Sequence, residues 1–265
     1  AMLNAAADKN ALAQLRNVHG FTALMVAANQ GYTKTVTAIL NAVSDKRALA
    51  RQRDFQGRTA LKIALDNGHT YAALAILNLS ADPDELMQLS RIQLTALLIL
   101  AAHQGDVAVV KVLLNLDPHA DTIAALRGGH DMTALDWAAE NNHPEVAKLI
   151  LGAVSEPAKL VHMHSRMGKT ALIRAASKGH ADIVMAILEA TKFDESLIQI
   201  RDDYGMNAFM WAITNDHNSI AQVLLKPISD KEGFINMIGY EGRTALTWAA
   251  ISGNTAAVVD LLEAV

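Results

Sequence analysis

A period of 37 residues constrains this chain more than any other feature. Thr22-Ala23-Leu24 returns as Thr59-Ala60-Leu61, Thr133-Ala134-Leu135, Thr170-Ala171-Leu172 and Thr244-Ala245-Leu246, with Asn207-Ala208-Phe209 as a weaker copy. The steps are 37, 74, 37, 37 and 37 residues. The long step is a double period, and its middle copy is Ala96-Leu97-Leu98, with Thr95 one place early. Three further columns share the register. Five places after the Thr slot stands Ala27, Ala64, Ala101, Ala138, Ala175, Ala212 and Ala249. Nine places after it stands Gly31, Gly68, Gly105, Asn142, Gly179, Asp216 and Gly253. Two places before it stands Gly20, Gly57, Leu94, Asp131, Gly168, Gly205 and Gly242. A fixed period of this length means stacked supersecondary units rather than a folded globule.

Each unit reads as helix, turn, helix. Threonine at the slot suits a helix N-cap, because its hydroxyl accepts from a free backbone N–H. The apolar residues two, five and six places on share one face of a short helix. Glycine nine places on ends that helix in the left-handed region, and Asn142 and Asp216 are the residue types that tolerate this next best. A second apolar helix follows, as in Val107–Leu116 and Ile183–Ala190. Between it and the next turn lie segments such as Asp45-Lys46-Arg47-Ala48-Leu49, Asp82-Pro83-Asp84-Glu85-Leu86 and Glu156-Pro157-Ala158-Lys159-Leu160. An acid, often a proline, and an apolar residue four places past the acid predict an extra helical turn. Leu49, Leu86, Ile123, Leu160, Leu197 and Phe234 share that last column and are expected to pin the turn into the core.

The pattern resembles the ankyrin repeat. Its signature stands here as Gly-x-Thr-Ala-Leu-x-x-Ala-Ala-x-x-Gly-His at Gly168–His180. The sequence departs from the family in having Ala where the family has Pro after the Thr, and in its longer period. The resemblance implies an all-α ankyrin-repeat solenoid of helix-turn-helix units with lengthened inter-repeat loops. As a single array over 1–265, it divides into a partial repeat 1–17, repeats near 18–54, 55–91, 92–128, 129–165, 166–202 and 203–239, and a final repeat 240–265. Met2–Leu12 copies Ile39–Leu49, and the chain closes on Val258–Val265 in the phase of Val36–Val43. With Leu261, Leu262 and Val265 making no polar cap, a piece of a longer protein is expected, and Ala1 reads as a cloning remnant.

Composition narrows the function. Cysteine is absent, which excludes a disulfide scaffold and a thiol nucleophile and is compatible with a reducing compartment. The longest central apolar run, Ala96–Ala102, is far below the roughly 20 residues a membrane helix needs. No N-terminal charged-then-apolar signal pattern is visible. A net charge of −4 does not announce nucleic acid. Residues 1–58 carry eight Lys/Arg against three Asp, or +5, which leaves −9 for the rest. That basic end is either a solvated surface or a docking end for an acidic partner.

No catalytic or cofactor chemistry is predicted. Gly168-Lys169-Thr170 mimics the tail of a phosphate loop, but Met163 stands where the loop's first Gly belongs. The column His69, His143, His180 and His217 is, by the resemblance, a framework position bonded to nearby backbone. Neighbouring repeats stack at roughly 10 Å, too far for one zinc with bonds of about 2 Å. His162 and His164 lack further ligands, and His130, Asp131 and Glu140 lack a nucleophile. No metal, cofactor or catalytic residue is therefore assigned.

The resemblance implies a protein partner bound on the concave face, by turn tips and the exposed side of the first helix. The tips contain Phe21, Phe55, Ile92, Met132, Met167, Lys169, Tyr204, Met206, Tyr240 and Arg243, more apolar than solvated turns need be. A purely structural spacer would have polar tips. Four places after the slot comes Val26, Ile63, Leu100, Trp137, Arg174, Trp211 and Trp248, which holds every tryptophan of the chain. Trp and Arg are enriched at binding hot spots, and Arg174, between two tryptophans, suits an acidic or aromatic group. The alternative is that these large side chains fill space between repeats. The expected protein is a monomeric, non-enzymatic, intracellular interaction module. Its style resembles secreted effectors of intracellular bacteria, which act in a host cell; a eukaryotic adaptor is the rival. An alternative is the substrate-recognition or regulatory arm of a larger enzyme.

Overall fold

The computed structural model describes residues 9–80, 83–116 and 120–263. Met2–Asp8 of the opening half-repeat, Asp82 of the acid-Pro segment, and Val265 lie outside the described residues. The architecture is all-α, with no strand among the described residues. The chain forms two compact units, Ala1–Ala101 with Asp106–Ile123, and Ala102–Gly105 with Ala124–Val265.

In the first unit, first helices Ala23–Asn29 and Ala60–Asp66 pack on one another, and second helices Thr33–Ala42, Thr70–Ser80 and Val107–Leu114 follow in order. In the second unit the first helices are Ala134–Glu140, Ala171–Lys178, Ala208–Thr214 and Ala245–Ser252. Pro144–Ala153, Ala181–Ala190, Asn218–Leu225 and Thr255–Glu263 are its second helices. Within each unit most of these helices lean on the matching helix one period away, because the apolar stripe recurs with the period.

The caps are those the slot predicts. Thr22, Thr59, Thr133, Thr170, Asn207 and Thr244 each accept from the backbone N–H three residues on, at 2.9–3.4 Å. The expected extra turn is a short third helix. It spans Lys46–Ala50, Pro83–Leu86, Ala120–Ala125, Pro157–Val161, Glu195–Gln199 and Lys231–Ile235. Asp45 and Asp230 cap it at 2.8 and 2.9 Å. Leu49, Leu86, Ile123, Leu160, Leu197 and Phe234 are all buried, so these segments belong to the core.

The third copy departs from the expectation. One helix, Arg91–Gln104, runs straight through the slot. Leu94 replaces the turn glycine, so no residue there is suited to positive φ. Ser90 and Gln93 supply a capping box six places early: Gln93 N donates to Ser90 Oγ, and Ser90 N to Gln93 Oε1 at 3.1 Å. Ile92 and Gln93 are thus helical, not turn residues.

Gly179 shows why its column resists other residues. Its φ is +80°, and a Cβ there would lie 2.6 Å from the ring of His217. The same seat joins Gly31 to His69 and Gly105 to His143. Asn142 and Asp216 take the turn at φ 59° and 63°. The histidines sit one repeat further on and reach back to carbonyls: His143 Nε2 lies 3.1 Å from His103 O, and His180 Nδ1 2.7 Å from Ala139 O. They are framework residues.

Candidate protein-binding face

Of the predicted contact residues, Met132, Trp137, Met167, Lys169, Arg174, Tyr204, Met206, Trp211, Tyr240, Arg243 and Trp248 lie in the second unit, and the tips Phe21, Phe55 and Ile92 in the first. The turns of the second unit are built alike. A residue five places before the slot donates its N–H to the carbonyl one place before the slot: Gly128 to Met132, Ser165 to Lys169, Asp202 to Met206 and Gly239 to Arg243, at 2.8–2.9 Å. Where that residue is Asp202, its Oδ1 also accepts from Tyr204 N and Met206 N, each at 3.0 Å. Asp54 fixes a first-unit turn in the same way. The column was not singled out from sequence, although Asn17, Asp54 and Asp202, an Asx-turn residue type recurring at one phase, carry the signal.

The turns carry an apolar stripe. Met167, Tyr204 and Tyr240 are each 42–47% exposed. Tyr204 Oη lies 3.7 Å from Met167 Sδ, and the Tyr204 and Tyr240 rings meet edge to face at 5.5 Å. Asp203 N donates to Met167 O at 3.1 Å, which ties two of the turns together. Met132 and Met206 do not join this stripe. They are only 4% and 2% exposed, so their placement among exposed tips is corrected. In this unit Met132 and Met206, just before their slots, are drawn into the core, while the charged Lys169 and Arg243 at the same position stay half-buried.

The column four places after the slot divides. Arg174 is 9% exposed and engaged. Its Nη2 donates to Ser165 Oγ at 2.5 Å and its Nη1 to Glu140 Oε2 at 3.2 Å, while Nε lies 3.7 Å from Asp136 Oδ1. Arg174 therefore holds acidic groups of the preceding repeat and braces two first helices. Asp136 caps its own helix by accepting from Thr133 N and Oγ1 at 2.9 and 2.8 Å. Burial pushes the Asp136 carboxyl above its ordinary value, against those bonds and the Arg174 charge. Burial alone would raise Glu140 as well, but Lys178 and Arg174 outweigh it and hold that carboxyl low.

The tryptophans are half-buried. Trp137 packs edge-on against His103, with ring centres 4.9 Å apart. Trp248 lies under the Arg243 guanidinium at 4.8 Å, and Arg243 also pairs with Glu241 at 2.7 Å. Trp211 donates its Nε1 proton to Asp202 Oδ2 at 2.7 Å and carries the Lys169 ammonium 4.0 Å from its ring centre. Burial lowers the Lys169 pKa from its ordinary value.

No group of three metal-ligating side chains occurs among the described residues. No helix there is long and apolar enough to cross a membrane.

A family model described as ankyrin repeats in three copies matches residues 2–87, 85–159 and 155–234. No curated protein matches the chain. Ankyrin repeats are in general protein–protein interaction modules without enzymatic activity of their own. With the period, the caps, the helix pairs and this match in agreement over most of its length, the chain belongs to the ankyrin-repeat family.

Proposed function

We propose that this chain binds one partner protein through the turn tips and first helices of its second unit, the side that forms the concave face in the family's arrays, and that it does so without cofactor or catalysis. The observation that carries this reading is the anchored Trp211. A large ring held by Asp202 on one edge and covered by Lys169 stands beside the exposed Met167, Tyr204 and Tyr240. A rigid aromatic group with polar neighbours loses little entropy on binding, which is why such groups dominate interface energies. Trp137, Trp248 and Arg243 extend the same face. Arg174 serves it indirectly, by fixing the helices beneath.

The reading is tested by in-cell crosslinking from a photoreactive residue placed at Tyr204. One protein species should be captured, and capture should fall with Tyr240→Ala and Trp211→Ala while melting is little changed by Tyr240→Ala. Equal capture from a photoreactive residue at Gln222, on a second helix, would show that the tips are not the binding face.

A further inference from the structure

Lys169 is a half-buried cation with the Asp202 carboxylate near enough to act on its charge but with no direct salt bridge among the described residues. Its ammonium lies over the Trp211 ring and makes no hydrogen bond or ion pair among the described residues. The nearby carboxylates are already engaged. Asp202 gives one oxygen to Trp211 and the other to its own turn. Glu140 takes Lys178 at 3.0 Å and Arg174 at 3.2 Å, and Glu241 takes Arg243. Arg166, on the same turn, is a second exposed cation. Asp203 is the exposed carboxylate on the neighbouring turn, and its Oδ1 lies against Gly168, next to Lys169.

Half-burying an ammonium strips part of its hydration, and an aromatic face returns only a fraction of it. Burial lowers the Lys169 pKa and the Asp202 charge opposes it, so the neighbouring carboxylate only partly offsets the lost hydration. An oxygen anion placed on the open side of the ammonium would offset the rest. Two residues away on the same turn begins the apolar stripe of Met167, Tyr204 and Tyr240.

We propose that Lys169, seated on Trp211, receives a carboxylate of the partner protein, so that this module selects an acidic segment with an apolar residue next to the acid. This rests on the protein-binding reading of the same face. The carboxylate replaces water on the ammonium and leaves the ring contact in place, while the apolar neighbour covers Met167 and Tyr204. Electrostatic steering by Arg166 and Lys169 makes the association salt-dependent.

The test probes the full chain on an array of short random-sequence peptides, with single-stranded oligonucleotides as controls. Bound peptides should be enriched in Asp or Glu beside Leu, Phe or Tyr. Lys169→Met should weaken those peptides about tenfold, the scale of one lost charge-assisted contact, and Lys169→Arg should retain most of the binding. Enrichment of basic or uncharged peptides that Trp211→Ala abolishes would overturn the carboxylate assignment and leave the binding face standing. Acidic peptides indifferent to Lys169→Met would also overturn it. Peptide binding that no change at Trp211, Tyr204 or Tyr240 affects would overturn both readings. Oligonucleotide binding lost in Lys169→Met would replace the partner protein with nucleic acid.

Discussion

The indole N–H of Trp211 meets the carboxylate of Asp202 at 2.7 Å, across nine residues of one repeat. Arg174 and Ser165 occupy the same two columns and make the same bond at 2.5 Å. The repeats of Trp137 and Trp248 have Gly128 and Gly239 in the acceptor column, and their buried indole nitrogens have no acceptor among the described residues. One tryptophan of the column is therefore anchored, and the column's chemistry is set by the residue five places before the slot.

Asp202→Ala removes the acceptor for Trp211 Nε1, Tyr204 N and Met206 N together. Leaving several donors unmet should cost about 2–4 kcal/mol. Urea unfolding checks this; a loss no larger than at an exposed position would show that the turn holds without it.

Arg174→Met should destabilise by about 3–5 kcal/mol, because Asp136 and Glu140 lose a buried cation. Adding Asp136→Asn to that variant should recover part of the loss. Additive losses in the double-mutant cycle would refute the coupling.

Alanine at Gly179 meets His217 as well as positive φ, whereas alanine at Gly68 meets the φ of +75° alone, with nothing within 4 Å. Gly68→Ala should cost about 1 kcal/mol. Gly179→Ala should cost about 1–3 kcal/mol more through overpacking. Comparing the two melting temperatures decides it.

Asp54 sets an acid limit on the first unit. Burial alone would raise its carboxyl, but the bonds and charge of Arg58 and the bond of Gln56 hold it below the ordinary carboxylate range. A carboxyl lower in the folded than in the unfolded state contributes stability above its unfolded pKa and loses it as pH falls through the folded one. Asp54→Asn should therefore flatten the stability profile between about pH 5 and pH 2. An unchanged slope in urea titrations across that range would contradict this.

The third helix is predicted to be integral. Phe234 is buried and its ring lies 5.2 Å from that of Phe209. Phe234→Ala should cost about 3–5 kcal/mol, measured by calorimetry. A cost below about 1 kcal/mol, the scale of a surface change, would make Lys231–Ile235 an appendage.

Most of the framework was legible because it is made of local devices repeated at one spacing. Thr170 caps, Gly179 turns, and Leu160 buries wherever those residues recur, since caps and left-handed turns are decided within a few residues. The third copy was misread where the register outvoted the local chemistry. Leu94 offered no turn, while Ser90 and Gln93 already spelled a capping box. The candidate face was half legible. The column of Trp137, Arg174, Trp211 and Trp248 was visible, but its division was not, because each member's role depends on a side chain on another element. Met132 and Met206 misled for the same reason: a position before a cap reads as turn, yet its side chain points wherever the neighbouring repeat leaves room.

The linear order of residues alone thus determined the period, the caps, the turns and the three helices of most repeats, since these need only backbone groups close along the chain. Only the tertiary structure decided that Arg174 is a brace, that Trp211 is an anchored shelf and that Lys169 is seated on the Trp211 ring. Those outcomes depend on burial and on atoms 9 to 37 residues away meeting within a few ångströms, which no periodicity specifies.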